Sequence, residues 1–178
     1  MEGQFEQVIR DKLAAAVEMP APALTRREAT LPPIGGKALA VIGMRRAGKT
    51  SYLHQCRGDL LAAGRSPNRL IYFNFEDERL AGLSAPKLHI IPDTHLRMFP
   101  EPAAEPITLF LDEIQLVDSW ETFVRRLLDT PGYEIFLSGS SAKLLSREIA
   151  SSMRGRAWEI TIHPFSFPEF LRHHGHDR

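Results

Sequence analysis

The stretch "VIGMRRAGKT", residues 41–50, separates Gly43 from Gly48-Lys49-Thr50 by four residues. That spacing fits GxxxxGK[ST], a loop whose glycines let backbone N–H groups turn inward around phosphate oxygens. The flanks agree with it. After Gly35-Gly36, "KALAVI" is a short apolar run that reads as a buried strand ended by Gly43. From Gly48 the pattern becomes helical through Leu53, Leu60 and Leu61, with Gly64 as its stop. A helix starting at Gly48 adds positive potential to the loop. A chance match in a chain of this length is roughly a one in a hundred event, and the strand and helix on either side lower it further.

Outward from this loop, strands alternate with helices. "RLIYFNF" (69–75) is rich in β-branched and aromatic residues and reads as a second strand. Ser84 is a candidate cap for a helix carrying Leu88, Ile91 and Leu96, which Pro92 would kink or split. "ITLFLDEI" (107–114) has the continuous apolar character of a buried central strand and ends in Asp112-Glu113. Asp118 followed by Glu121 signals a helix start, with Trp120, Phe123, Val124, Leu127 and Leu128 on its buried face. "YEIFL" is a fourth strand, followed by "SGSS" and a helix containing Leu144, Leu145 and Ile149. "AWEITI" alternates Trp158, Ile160 and Ile162 against Ala157, Glu159 and Thr161, as a fifth strand with one less buried face would. Before all of this, Phe5, Val8, Ile9, Leu13 and Ala16 recur at helical spacing, and Pro20, Pro22, Pro32 and Pro33 break the pattern. Residues 1–34 are therefore read as an N-terminal helix and strap, and 35–178 as one α/β domain with a mostly parallel sheet.

Composition bounds the function. The chain has 178 residues, 43% hydrophobic and 25% charged, as in a soluble globular domain, and no apolar run long enough to span a bilayer. Lysine plus arginine equals aspartate plus glutamate, 22 each, so no net field draws it to nucleic acid or to a membrane. No signal-peptide core follows Met1, which makes the cytoplasm the default. The single cysteine, Cys56, reads as a small buried residue, and His173, His174 and His176 as a frayed tail.

The polar residues at strand ends suggest chemistry. In an open α/β sheet ligands gather at the carboxyl ends of the strands, so Asp112 and Glu113 are expected beside the loop. Gly43, Met44, Arg45, Arg46, Ala47, Gly48, Lys49, Thr50 and Ser51 form the candidate phosphate-binding set. Within it Lys49 would reach the β and γ phosphates and Thr50 would ligate Mg2+. Asp112 suits a metal-holding role, directly or through water, and Glu113 stands where a base could deprotonate an attacking water. Ser138 is the candidate for a group that senses the γ-phosphate, with a plain polar strand end as the equal alternative. Arg154 and Arg156 are candidates for a charge-stabilising arginine, in cis or from a neighbouring subunit, against the plainer reading of an exposed basic turn. Arg45 and Arg46 read as solvated rather than phosphate-bound.

Taken together, "GMRRAGKT", "YFNFEDERL", "LFLDEIQLVDSWETFVRRLLD", "FLSGSSAKLLSREIASSMRGR" and "HPFSFPEF" resemble the ATPase core of a prokaryotic AAA-type ATP-binding protein family, from about residue 25 to the end. The resemblance implies a P-loop NTPase fold, a three-layer sandwich with sheet order 5-1-4-3-2, and ATP rather than GTP. It implies an ATP hydrolase that drives a conformational change in a partner or a further domain, with a homo-oligomer as one arrangement. The competing reading is a nucleotide-binding switch or scaffold with negligible turnover. Family members continue past the "PFSFPEF" phrase into a helical region and a C-terminal domain, so a lid and that domain are expected to be missing from residues 35–178.

Overall fold

The computed structural model describes residues 3–19, 22–30, 35–100, 105–139, 153 and 155–176. Five strands, β1 (Ala38–Ile42), β2 (Leu70–Asn74), β3 (Ile107–Asp112), β4 (Tyr133–Ser138) and β5 (Ala157–Thr161), form one sheet in the order β2-β3-β4-β1-β5. Read from the other edge this is the expected 5-1-4-3-2, and every pairing in it is parallel. The helices are α1 (Gly3–Glu18), α2 (Lys49–Ala62), α3 (Ile90–Met98), α4 (Trp120–Leu128) and α5 (Phe167–His173). The chain has the P-loop NTPase α/β fold. No described helix is long and apolar enough to cross a membrane.

The alternation of side chains along the strands divides the core in two. On one face Leu39, Val41, Leu70, Phe110 and Phe136 meet Tyr52, Leu53 and Cys56 of α2. On the other, Ala38, Ala40, Ile71, Phe73, Leu109, Leu111, Ile135 and Leu137 meet α1, α3 and α4. β3 is buried along its whole length, as its unbroken apolar run required. α1 is integral to the second core rather than a loose strap. Its Phe5, Ile9, Leu13 and Ala16 are buried, Lys12 Nζ pairs with Asp77 at 3.1 Å, and Arg57 donates to the Ala16 carbonyl at 3.1 Å. Cys56 is buried, and burial pushes its thiol up to about 12.

Three local expectations need correction. The segment after Ser84 is not one helix: a single 3-10 turn, Ala85–Lys87, precedes α3, and Pro92 falls in the first turn of α3, where its missing N–H has no intrahelical acceptor to lose. Asp118 does not cap α4. Ser119 holds that place in a left-handed conformation (φ 59°), and the Thr122 N–H goes to the Ser119 carbonyl at 3.1 Å. Trp158 is 44% exposed although it shares a face with buried Ile162, because β5 is an edge strand and the Trp158 ring is covered by the Lys37 ammonium, 4.3 Å from its centroid. The helix expected over Leu144, Leu145 and Ile149 lies outside the described residues.

Gly43 closes β1 against the end of β5. It has φ 154°, and an added Cβ would stand 2.3 Å from the Ile162 carbonyl oxygen. That oxygen belongs to the backbone and has no rotamer by which to escape. Gly43→Ala is therefore expected to cost about 2 kcal/mol or more of stability, read as a lower urea midpoint at unchanged slope.

Candidate functional site

The parallel sheet brings four carboxyl ends to one rim. Val41 pairs with Ser138, Leu111 with Leu137 and Asn74 with Asp112, so the loop after β1 and the last residues of β2, β3 and β4 are neighbours. Asp112 and Ser138 follow the parity of Phe110 and Phe136 and so face α2. The loop itself is held by two left-handed residues, Arg46 (φ 64°) and Gly48 (φ 96°), before α2 begins at Lys49.

The structure brings Thr50 and Asp112 together. Thr50 Oγ1 donates to Asp112 Oδ2 at 2.9 Å, joining segments 62 residues apart. Asp112 is wholly buried and also accepts from Tyr72 Oη at 2.8 Å and Asn74 Nδ2 at 3.2 Å on the same oxygen. Ser138 is buried; its hydroxyl donates to Asp112 Oδ1 and accepts from the Glu113 N–H at 3.3 Å. Burial and the Asp112 charge push the Tyr72 phenol well above the usual tyrosine range, so it remains a protonated donor. Lys49 is only 5% exposed, and its ammonium rests on the Met44 carbonyl at 3.0 Å. Glu113 has left-handed backbone (φ 57°) and takes a hydrogen bond from the Gln115 amide.

Two cavities open on either side of the loop. One, about 530 Å³, is lined by Arg45, Lys49, Thr50, Glu76, Glu113 and Gln115. The other, about 700 Å³, lies between the strap and α5, lined by Leu24, Thr25, Ala47, Ser51, Phe165 and His173. Arg46 and Gly48 border both, so one elongated anion could lie across the loop with an end in each. Arg45 and Arg46 thus face the site rather than only solvent.

Asp112 and Thr50 suit a magnesium ion. Thr50 spends its proton on Asp112 and keeps its lone pairs for a cation. No group of three or more His, Cys, Asp or Glu that could cage a metal exists among the described residues. A cation here needs phosphate and water for its remaining ligands, the usual habit of magnesium.

Other sequence candidates are placed elsewhere. Arg156 precedes β5 at the opposite rim, where its carbonyl accepts from Ala38 N–H at 2.9 Å and its guanidinium pairs with Asp129. A strand of this length separates it from the loop by roughly 16 Å, so the in-chain form of the charge-stabilising role is withdrawn for Arg156. Arg154 lies outside the described residues. His173 is not a frayed end: it closes α5, shares a 2.8 Å hydrogen bond with Thr25 and borders the larger cavity.

Sequence reading missed Arg27 altogether. This buried side chain donates to Glu169 at 3.0 Å, to the Ala47 carbonyl at 2.8 Å and to the His163 carbonyl, while its backbone N–H and carbonyl pair with the Gln55 amide. It therefore locks the strap, α2, the loop and α5 together. The one legible sign was Ser166-x-x-Glu169, which forms a capping box at the start of α5.

Comparison with known proteins places the chain. A family model described as "AAA domain" matches residues 35–171. The uncharacterized protein MJ1544 of Methanocaldococcus jannaschii is 40% identical over 168 residues, 94% of this chain and 35% of that protein. An uncharacterized protein of Haemophilus influenzae is 35% identical over 131 residues, 74% of this chain and 32% of that protein. The chain thus spans about a third of the length of the curated relatives it matches. A solved structure of the Aeropyrum pernix ORC1 protein in complex with DNA covers 97% of this chain and 47% of its own, at 16% identity and a TM-score of 0.44.

The Arg27–Glu169 pair is sensitive to acid in a defined direction. Burial works to raise the Glu169 carboxyl, but the Ser166 and Glu28 N–H groups and the Arg27 guanidinium outweigh it and hold it at about 2, against an ordinary 4.5. A depressed folded value means the contribution is complete above pH 4.5 and is lost as pH falls toward 2. Glu169→Gln should lower stability by on the order of 2 kcal/mol at neutral pH and flatten the stability curve across that acid window, measured by urea unfolding at stepped pH.

Proposed function

The chain belongs to the AAA domain family, and on that premise we propose that it binds ATP with Mg2+ across residues 43–51 and hydrolyses it to drive a conformational change in a partner protein or a further domain. Membership itself gives the coarse function, a nucleotide-binding core of ATPase type. The observation that carries the finer reading is the 2.9 Å contact of Thr50 with buried Asp112 directly beside Lys49. A P-loop lysine and a metal-holding pair on one rim are the parts that a phosphoryl-transfer site requires.

In this reading the triphosphate lies over Gly43 to Thr50, with Lys49 leaving the Met44 carbonyl for phosphate oxygen. The base and ribose enter the larger cavity, where Phe165 and His173 offer rings for stacking. Thr50 and Asp112 would hold Mg2+, which when bound neutralises charge on the β and γ phosphate oxygens. Glu113 accepts the proton of the attacking water. Ser138 ties Asp112 to the Glu113 backbone, so the metal holder and the base move together. Division into a strap of residues 1–34 and a core of 35–178, and a cytoplasmic setting, belong to the same reading.

One observation favours the competing reading. Glu113 is already engaged by the Gln115 amide, and the Gln115 carbonyl oxygen is buried with no hydrogen-bond partner. A base held in this way would suit a nucleotide-dependent switch with negligible turnover. Single-turnover measurement on the purified chain separates the two: release of ADP and phosphate supports hydrolysis, whereas retained ATP supports the switch.

Lys49→Ala should abolish ATP binding by calorimetry. Glu113→Gln should keep ATP affinity within about threefold while slowing turnover at least about a hundredfold; equal turnover in variant and parent would remove Glu113 from its role. Phe165→Ala should weaken ATP about tenfold while leaving inorganic triphosphate binding unchanged, checked by competition between the two ligands.

A further inference from the structure

An ionised carboxylate offers about four lone-pair sites. Among the described residues, four donors already take them at Asp112: Thr50 Oγ1, Tyr72 Oη and Asn74 Nδ2 on Oδ2, and Ser138 Oγ on Oδ1. Thr50 and Ser138 belong to the loop and the strand end that the ATP reading uses. Tyr72 and Asn74 do not. They come from β2, two residues apart on the α2-facing side, and Asn74 is the register partner of Asp112.

A cation bonding directly to Oδ2 would have to evict one of its three donors there. Tyr72 resists eviction, because its ring is half-buried and lies against His54 with centroids 4.4 Å apart. Asn74 is tied as well, since its carbonyl oxygen accepts the Glu76 N–H at 2.6 Å. Neutral donors also spread the carboxylate charge, which lowers the attraction of Asp112 for a bare ion. Thr50 presents the opposite case, with its proton turned to Asp112 and its lone pairs free.

We propose that Tyr72, seconded by Asn74, is a positioning residue that keeps Asp112 an indirect ligand of the cation, acting through a water molecule, and so makes cation binding depend on bound triphosphate. The proposal rests on the Mg-ATP reading above and adds to it a residue and a coordination mode. Without this cage the acid could bind a divalent ion whether or not nucleotide was present.

The test uses the full chain with Mn2+ as the spectroscopic substitute for Mg2+. Tyr72→Phe keeps the ring against His54 and removes only the donor. The parent should bind Mn2+ weakly without ATP, and its Mn-ATP complex should show, by water-proton relaxation, one more coordinated water than the variant's complex. Tyr72→Phe should bind Mn2+ without nucleotide about tenfold more tightly than the parent. Asn74→Ala should move the same way by a smaller factor, and it carries the test if thermal unfolding shows that Tyr72→Phe does not fold. Mn2+ affinity in both variants within about twofold of the parent, with an unchanged water count, overturns the proposal and leaves ATP binding by the parent standing. A parent that binds neither ATP nor Mn-ATP overturns the ATP reading and this proposal with it.

Discussion

A carboxylate buried at the end of a central strand is the constraint around which the rest is arranged. Asp112 has no exposed surface, and an ion in that position survives only if its lone pairs are met. The chain meets them from four separate segments: the helix start after the loop, the ends of β2 and β4, and, through the Ser138 hydroxyl, the backbone of Glu113. Because those donors must converge, the strand ends must be level, and a slip in register anywhere in the sheet would strand the charge. Satisfaction of one acid thus fixes the alignment of the whole rim.

Much of this could be read from the residues, and the reasons are physical. Unbroken apolar runs such as 107–111 can only be buried parallel strands, and glycines at Gly43 and Gly48 mark the points where backbone must take conformations that side chains resist. Strand parity then put Asp112 toward α2 and beside Thr50. What escaped was everything held by long-range side-chain contacts. Arg27 looks like any surface arginine in sequence, and its role arises only because Glu169, 142 residues later, folds against it. Tyr72 and Asn74 read as ordinary strand residues until the pairing of β2 with β3 sets them over Asp112. Short-range rules also misjudged Asp118, where a left-handed Ser119 served as the cap, and Trp158, where position at the sheet edge outweighed alternation.

The strap and α5 make a second framework laid over the first. Arg26 forks onto Asp59 at 2.7 and 2.9 Å, Tyr52 donates to the Ala29 carbonyl at 3.2 Å, and Arg172 reaches both the Arg26 carbonyl and Glu28. Arg27 lies at the centre of these contacts and touches the loop through the Ala47 carbonyl. Displacement of the loop is consequently felt by α5, and displacement of α5 by the loop. That mechanical connection runs through a single guanidinium and needs no change in the sheet.

The strand order has a bearing on biogenesis. The central strand β1 is made early, yet its only hydrogen-bonded neighbours are β4 and β5, which begin at Tyr133 and Ala157. Nascent polypeptide emerging from a ribosome therefore carries the glycine loop for most of its synthesis with neither flank of its strand paired. Ligand capture must wait for the last quarter of translation, and until then the segment around Ala38–Ile42 is an exposed, sticky stretch that chaperones would have reason to shield.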